Sequence, residues 1–149
     1  MEYANALLTA VIFCGLIACD SGPRSPVGFL LPEGDVEQGK ATFLELQCNA
    51  CHTVDGVDLP PPLIIPNPSA TVVLGGQVFE IRTDGYLVTS IINPSHELAR
   101  GLNKKQITTS TGESRMPDFS EIMTVHQLID LVAFLHSRYT FVPPPQSPM

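Results

Sequence analysis

The chain has little positive charge. Eight Lys and Arg stand against fifteen Asp and Glu in 149 residues, a formal net charge of −7 at pH 7. A chain this acidic lacks the basic footprint that a phosphate backbone requires, so nucleic-acid binding is excluded as a function class. Cysteine is also scarce, with four residues in all. Two of them, Cys14 and Cys19, sit in an N-terminal apolar run, which leaves no set for a disulfide-stapled fold. Long hydrophobic runs are missing as well. The uncharged stretch Tyr3 to Ala18 has 16 residues, short of the roughly 18 that argue for a membrane-spanning helix. There is no internal repeat, so a solenoid or propeller is not indicated.

Against these absences stands Cys48-Asn49-Ala50-Cys51-His52, a C-x-x-C-H run and the signature of covalent haem c attachment. Two thiols at this spacing add across the two porphyrin vinyl groups as thioethers. The His that follows at once is carried beneath the macrocycle as the proximal iron ligand. A structural zinc site needs four ligands at metal spacing, and the remaining cysteines do not supply them. A thioredoxin-type pair needs no His and expects a βαβ pattern.

The amino terminus fits an exported protein. Tyr3 to Ala18 reads as the apolar region of a secretory signal, although Glu2 stands where a signal usually carries Lys or Arg. It ends in Leu16-Ile17-Ala18-Cys19, which resembles the lipobox of bacterial lipoproteins. That resemblance implies cleavage before an acylated Cys19, with Cys14 lost in the signal. An uncleaved N-terminal anchor is the other reading, and either one tethers the chain to a membrane. Removing residues 1–18 takes away one acid, Glu2, and leaves 14 acids against 8 bases, net −6. Residues 19–34 read as a Pro-, Gly- and Ser-rich flexible tether. Residues 35–140 form one domain, and 141–149 a Pro-rich tail without packed structure.

Within the domain the periodicity predicts helices. Val36, Gly39, Phe43 and Leu46 recur on one face of a helix from Asp35 to Gln47, with Asp35 and Glu37 at its positive end. Thr53 to Leu74 is rich in Pro and Gly and reads as irregular loop. Val72 to Ile81 suits a short strand or extended pair around Gly75-Gly76. Asp84 is placed to cap a helix from Gly85 to Ile92, stopped by Asn93-Pro94. Ser95 to Arg100 suits one or two turns ended by Gly101. Thr124 and Gln127 make a capping-box pattern for a last helix with an apolar stripe of Val125, Leu128, Ile129, Val132, Leu135 and Tyr139.

Over residues 33–140 the chain resembles the class I c-type cytochromes. The resemblance rests on the C-x-x-C-H run, on Tyr86-Leu87-x-x-Ser90-Ile91 through Pro94 to Gly101, on Met116-Pro117-x-Phe119 and on Leu128-x-x-Leu131-Val132-Ala133-Phe134-Leu135. It implies an all-α fold in which N- and C-terminal helices cross over a covalently bound haem, here through Gly39 and Phe43 against Leu131 and Phe134. Gly39 suits a close approach of the two helices. The family places its second axial ligand at Met116, in the loop before the last helix, with Pro117 fixing the backbone. Of the other methionines, Met1 and Met149 lie at the termini and Met123 reads as a packing residue. His96, His126 and His136 are the alternative ligands. The resemblance also implies that the second nitrogen of His52 donates to a Pro carbonyl, which falls on Pro61 in Pro60-Pro61-Pro62-Leu63. The usual Gly of that segment is replaced here by Pro60.

Arg100, Lys104, Lys105 and Arg115 hold half of all cationic residues around the Met loop. They form either a positive rim for an acidic partner or a solvated loop. A thioether in the sixth position favours reduced iron and bars small ligands from the metal. The sequence therefore points to a membrane-tethered monohaem electron carrier, not an enzyme. Its expected site is the periplasmic face of a bacterial inner membrane, and its expected partners an oxidase, a dehydrogenase or a cytochrome complex. The alternatives are a fixed subunit of such a complex, or a haem enzyme or gas sensor with an exchangeable sixth ligand.

Overall fold

The structure, a computed structural model, describes residues 29–65 and 70–144. The expected signal, Cys19 and most of the expected tether lie outside the described residues. Helix α1 spans Val36–Glu45 and leads into a 3₁₀ turn at Cys48–Ala50. Strand β1 (His52–Val54) follows at once, then β2 (Val72–Leu74) and β3 (Gly76–Val78). Helices α2 (Asp84–Ile92), α3 (Lys104–Ile107) and α4 (Val125–His136) precede the last strand, β4 (Tyr139–Phe141).

The main packing event is the crossing of α1 over α4. Phe43 and Phe134 meet edge to face, with ring centroids 5.7 Å apart, and both are almost fully buried. The crossing depends on Gly39. A Cβ built there would lie 1.9 Å from the Asp130 backbone oxygen and 2.7 Å from the Phe134 Cβ. Gly34 makes a second close approach, 2.7 Å from the Ile129 oxygen on the same measure. Asp35 caps α1 by accepting from the Glu37 and Gln38 amides. Its own amide donates to the buried Asp130 carboxylate on α4 at 2.8 Å. The first helix is thus stapled to the last by a charge-assisted bond, and nothing in the sequence pattern pointed to Asp130. Val54, Leu87, Val88, Ile91, Leu131, Val132 and Leu135 complete the core.

Several local expectations change. The first helix ends at Glu45, because Gln47 takes a left-handed φ of 55° and turns the chain into the 3₁₀ segment. Thr83, not Asp84, caps α2, its hydroxyl accepting from the Tyr86 amide. The Asp84 carboxylate instead accepts from the Leu31 amide at 3.0 Å and meets His136 Nδ1 at 3.3 Å. Ser95 to Arg100 forms turns and no helix, because the His96 amide and ring Nδ1 both fold back on the Asn93 carbonyl. The short α3 comes later, capped by Asn103. The stripe of α4 runs deeper than expected at its C-terminal end and shallower at Val125, which is 73% exposed.

Nor is the fold purely helical. Strand β1 pairs parallel with β2, setting His52 opposite Val72, and β3 pairs parallel with β4. The strands flanking Gly75-Gly76 do not pair with each other. Both glycines have positive φ, 86° and 76°, and the bend sends each strand to a different partner. The second ladder draws Tyr139–Phe141 into the fold, and Val142 donates to the Val78 carbonyl at 2.8 Å. At the other end Leu31 packs against the core. The folded part therefore reaches a few residues past 35–140 on both sides.

Gly39→Ala tests the crossing. Overpacking against backbone leaves no rotamer to relax into, so a loss of about 3 kcal/mol or more is expected. Denaturant unfolding of the haem-loaded protein measures it, and a change within about 0.5 kcal/mol, as at an ordinary surface site, would mean that the helices do not touch there.

Candidate functional site

The end of α1 delivers the chain into the C-x-x-C-H run, and the left-handed Gln47 sets the turn. The Ala50 amide donates to the Gln47 carbonyl and the Cys51 amide to the Cys48 carbonyl. Cys48, Cys51 and His52 are thereby gathered within one turn and its exit. Both thiols are free. Burial pushes the Cys48 thiol up to about 11, and its neighbour Cys51 pushes in the same direction. Burial also raises Cys51, opposed by the positive charge of Arg115. Both sulfurs are therefore neutral thiols at pH 7. The His52 ring is held below its ordinary range, mainly by burial, while the nearby Val72 backbone works the other way. A neutral imidazole has a lone pair to give to a metal, so the desolvated ring suits a ligand.

Two side-chain bonds fasten the following Pro-rich loop onto this turn. Asn49 Nδ2 donates to the Pro60 carbonyl at 3.0 Å, and the Leu63 amide donates to Gln47 Oε1 at 2.9 Å. Beyond them Leu63, Ile64 and Ile65 are 87%, 67% and 76% exposed apolar surface. The hydrogen bond from His52 to Pro61 is not made. His52 Nδ1 is buried without a partner, the Asn49 and Gln47 bonds fix the loop through Pro60 and Leu63, and Pro61 stays exposed.

The expected distal ligand, Met116, is held by a separate set of bonds. An isolated antiparallel bridge joins Thr108 to Ser114, and the Arg115 amide donates to the Ile107 carbonyl at 2.9 Å. The Ser114 amide donates to Ser95 Oγ and the Met116 amide to Ser114 Oγ. The Arg115 charge on this loop acts on Cys51, opposing the effect of burial. Met116 is half-buried and stands apart from the core, whereas Met123 packs on it.

The other histidines are engaged elsewhere. His96 meets the Asn93 carbonyl, exposed His126 lies 3.5 Å from Asp130, and His136 bridges the Arg82 carbonyl and Asp84. Of the cationic rim, Arg100 is paired with Glu97 at 2.9 Å. Sequence reading passed over Gln47 and Asn49. Their signal was modest: two amide side chains flanking the first cysteine of the motif.

The family model for cytochrome c matches residues 36–138. The chain belongs to the cytochrome c family. No curated protein and no solved structure matches it. Cytochromes c bind haem c covalently and carry electrons, and Cys48 and Cys51 fit the attachment motif. The residues fit the group: two free thiols at vinyl spacing, a buried neutral imidazole directly after them, and a Met loop beside the second thiol. When bound, haem c supplies a one-electron Fe(II)/Fe(III) couple.

Cys48→Ala and Cys51→Ala are each expected to lower the yield of haem-loaded cytochrome sharply. The readout is covalent haem stain on a denaturing gel. Wild-type protein without stain would overturn the attachment site.

Proposed function

We propose that this cytochrome c is a membrane-tethered, monohaem carrier of single electrons between respiratory partners on the periplasmic face of a bacterial inner membrane. His52 is its proximal iron ligand, Met116 its distal ligand and Cys19 its lipid attachment point. The observation that carries the reading is the half-buried Met116, which stands off the core in a loop whose neighbouring Arg115 bears electrostatically on Cys51. A thioether in the sixth position raises the potential. It also keeps small ligands off the iron, which favours outer-sphere electron transfer over bond-making chemistry. Burial of the His52 ring favours the neutral form that a metal requires.

Three features support a protein partner. The exposed Lys104 and Lys105 open α3, beside the loop that carries Met116. The protein is otherwise acidic, so these cations form a local positive field able to orient an acidic redox protein. The exposed Leu63–Ile65 run adds apolar surface that a partner could cover.

Met116→Ala is expected to open the iron to carbon monoxide and to lower the midpoint potential. Met123→Ala, on the core instead of at the metal, is expected to leave the spectrum unchanged and to cost about 1–3 kcal/mol of stability. Ferric spectra and redox titration of both variants decide the ligand. A Met116→Ala protein with the wild-type spectrum, alongside a His96 or His126 variant that loses it, would make the iron bis-histidine.

The tether has its own test. Cys19→Ser is expected to release the cytochrome into the soluble periplasmic fraction or to leave uncleaved precursor. Mass spectrometry of the wild-type N-terminus reads the same point, and an intact Met1 would favour a retained anchor over a lipid.

A further inference from the structure

Three segments distant in sequence meet at the Asp84 carboxylate. Its Oδ2 accepts from the Leu31 amide at 3.0 Å. Its Oδ1 lies 3.3 Å from Nδ1 of His136, the last residue of α4. The other ring nitrogen of His136 meets the Arg82 carbonyl, on the approach to α2. Both oxygens of one acid thus hold the point where the N-terminal segment joins the domain.

The residues that flank this node are apolar and uncovered. Leu30, directly before the bonded Leu31, is 85% exposed, and Phe29 before it is exposed too. Ile81, directly before the bonded Arg82, is 67% exposed, and Phe79 is 63% exposed. Single exposed apolar residues are ordinary. Large ones on two segments drawn to one node make a patch, and a patch marks an interaction surface. Phe79 also shares a cleft with Arg82 and Arg100, against one acid, Glu80. Large apolar side chains bordered by Arg suit the headgroup region of a bilayer, where the apolar part is buried and the cation stays wet.

The path of the chain names the occupant. Phe29 stands ten residues after Cys19, the proposed lipid attachment point. Fully extended, such a segment reaches about 35 Å at most, roughly one domain diameter. The domain is therefore kept beside the lipid surface, with Phe29 and Leu30 at the exit of the tether. We propose that Phe29, Leu30, Phe79 and Ile81 seat the domain on the phospholipid surface to which it is tethered. The inference rests on the tether of the proposed function. Tethering makes the contact intramolecular, so a patch too weak to hold a free domain on a membrane suffices to orient a tethered one. The lipid anchors and the patch orients. A seated domain presents a constant face, which shortens the orientational search of a redox partner in the same membrane.

The test uses the full haem-loaded chain in the membrane of the bacterium that expresses it. The photoreactive residue p-benzoylphenylalanine replaces Leu30, Phe79, Ile81 or, as a control, Val125, one position at a time. Val125 is equally apolar and exposed, but it opens α4 at the end away from His136, about 16 Å along the helix. Covalent haem stain checks that each variant folds. After irradiation of the membrane fraction, mass spectrometry reads the adducts. Phospholipid adducts are expected at Leu30, Phe79 and Ile81, and none at Val125. Absence of lipid adducts at all three, or equal yield at Val125, would overturn the proposal. Adducts to protein alone at Phe79 and Ile81 would overturn it too, and make this face a docking site for a protein partner. Wild-type cytochrome recovered in the soluble fraction would instead defeat the tether, and the seat with it, a failure read before any irradiation.

Discussion

The crossing of α1 over α4 at Gly39 is the constraint on which the rest of this cytochrome depends. At that point one helix meets the backbone of the other, with no room for a single methyl group. The C-x-x-C-H run begins three residues after α1 ends, and the Met116 loop ends where the capping box of α4 begins. Fixing the two helices therefore fixes the points from which the attachment turn and the Met loop extend. The Asp35 amide on the Asp130 carboxylate sets the rotation of α1 about that contact. A bonded carboxylate near the positive end of a helix is favourable on two counts, the charge-assisted bond and the macrodipole.

Burial then divides the chemistry of the attachment turn. Cys48 packs against the core and has its thiol pushed up to about 11. Cys51 lies further out, where Arg115 offsets part of the same effect. The turn is thus asymmetric, apolar on the side of the first thiol and positively charged on the side of the second. His52 follows on the dry side, and desolvation keeps its ring neutral. A single structural fact, the depth at which α1 ends, sets the state of all three groups.

The sequence made some of this legible and hid the rest for physical reasons. Thr124 and Gln127 were readable because a capping box is local, and both of its bonds form. Gly39 was readable because a glycine on an apolar helical face has few uses. The all-α expectation missed β1–β2 and β3–β4 because parallel three-residue strands pair across tens of residues and leave no periodicity of their own. Asp130 was hidden because a buried acid is explained only by the amide it meets 95 residues away. Pro61 illustrates the limit of resemblance. With Pro60 in place of the usual Gly, the loop is fastened by Asn49 and Gln47, and His52 Nδ1 makes no hydrogen bond to it. The Thr83 cap was missed by one residue, since Thr83 and Asp84 both suit the position. Asp84 is used instead by Leu31 and His136.

The two axial sides of the proposed iron site differ in what supports them. The His52 side is built on α1 and the core. Among the described residues the Met side, from Asn93 to Met116, adds nothing to the hydrophobic core. It is held by turns: His96 on Asn93, Thr108 opposite Ser114, Ser114 on Ser95 and Arg115 on Ile107. Such exposed bonds contribute about 0.5–1.5 kcal/mol each, whereas core burial of one large side chain contributes about 1.5–3 kcal/mol. The loop is therefore the low-stability part of the domain, pinned at its ends by the α2 and α4 caps. A thioether bond to iron would be the strongest tie in its middle. With Met116 as the proposed ligand, a tighter hold on the thioether would also order the segment bearing Lys104, Lys105 and Arg115. Under that proposal the surface offered to a partner would depend on the iron.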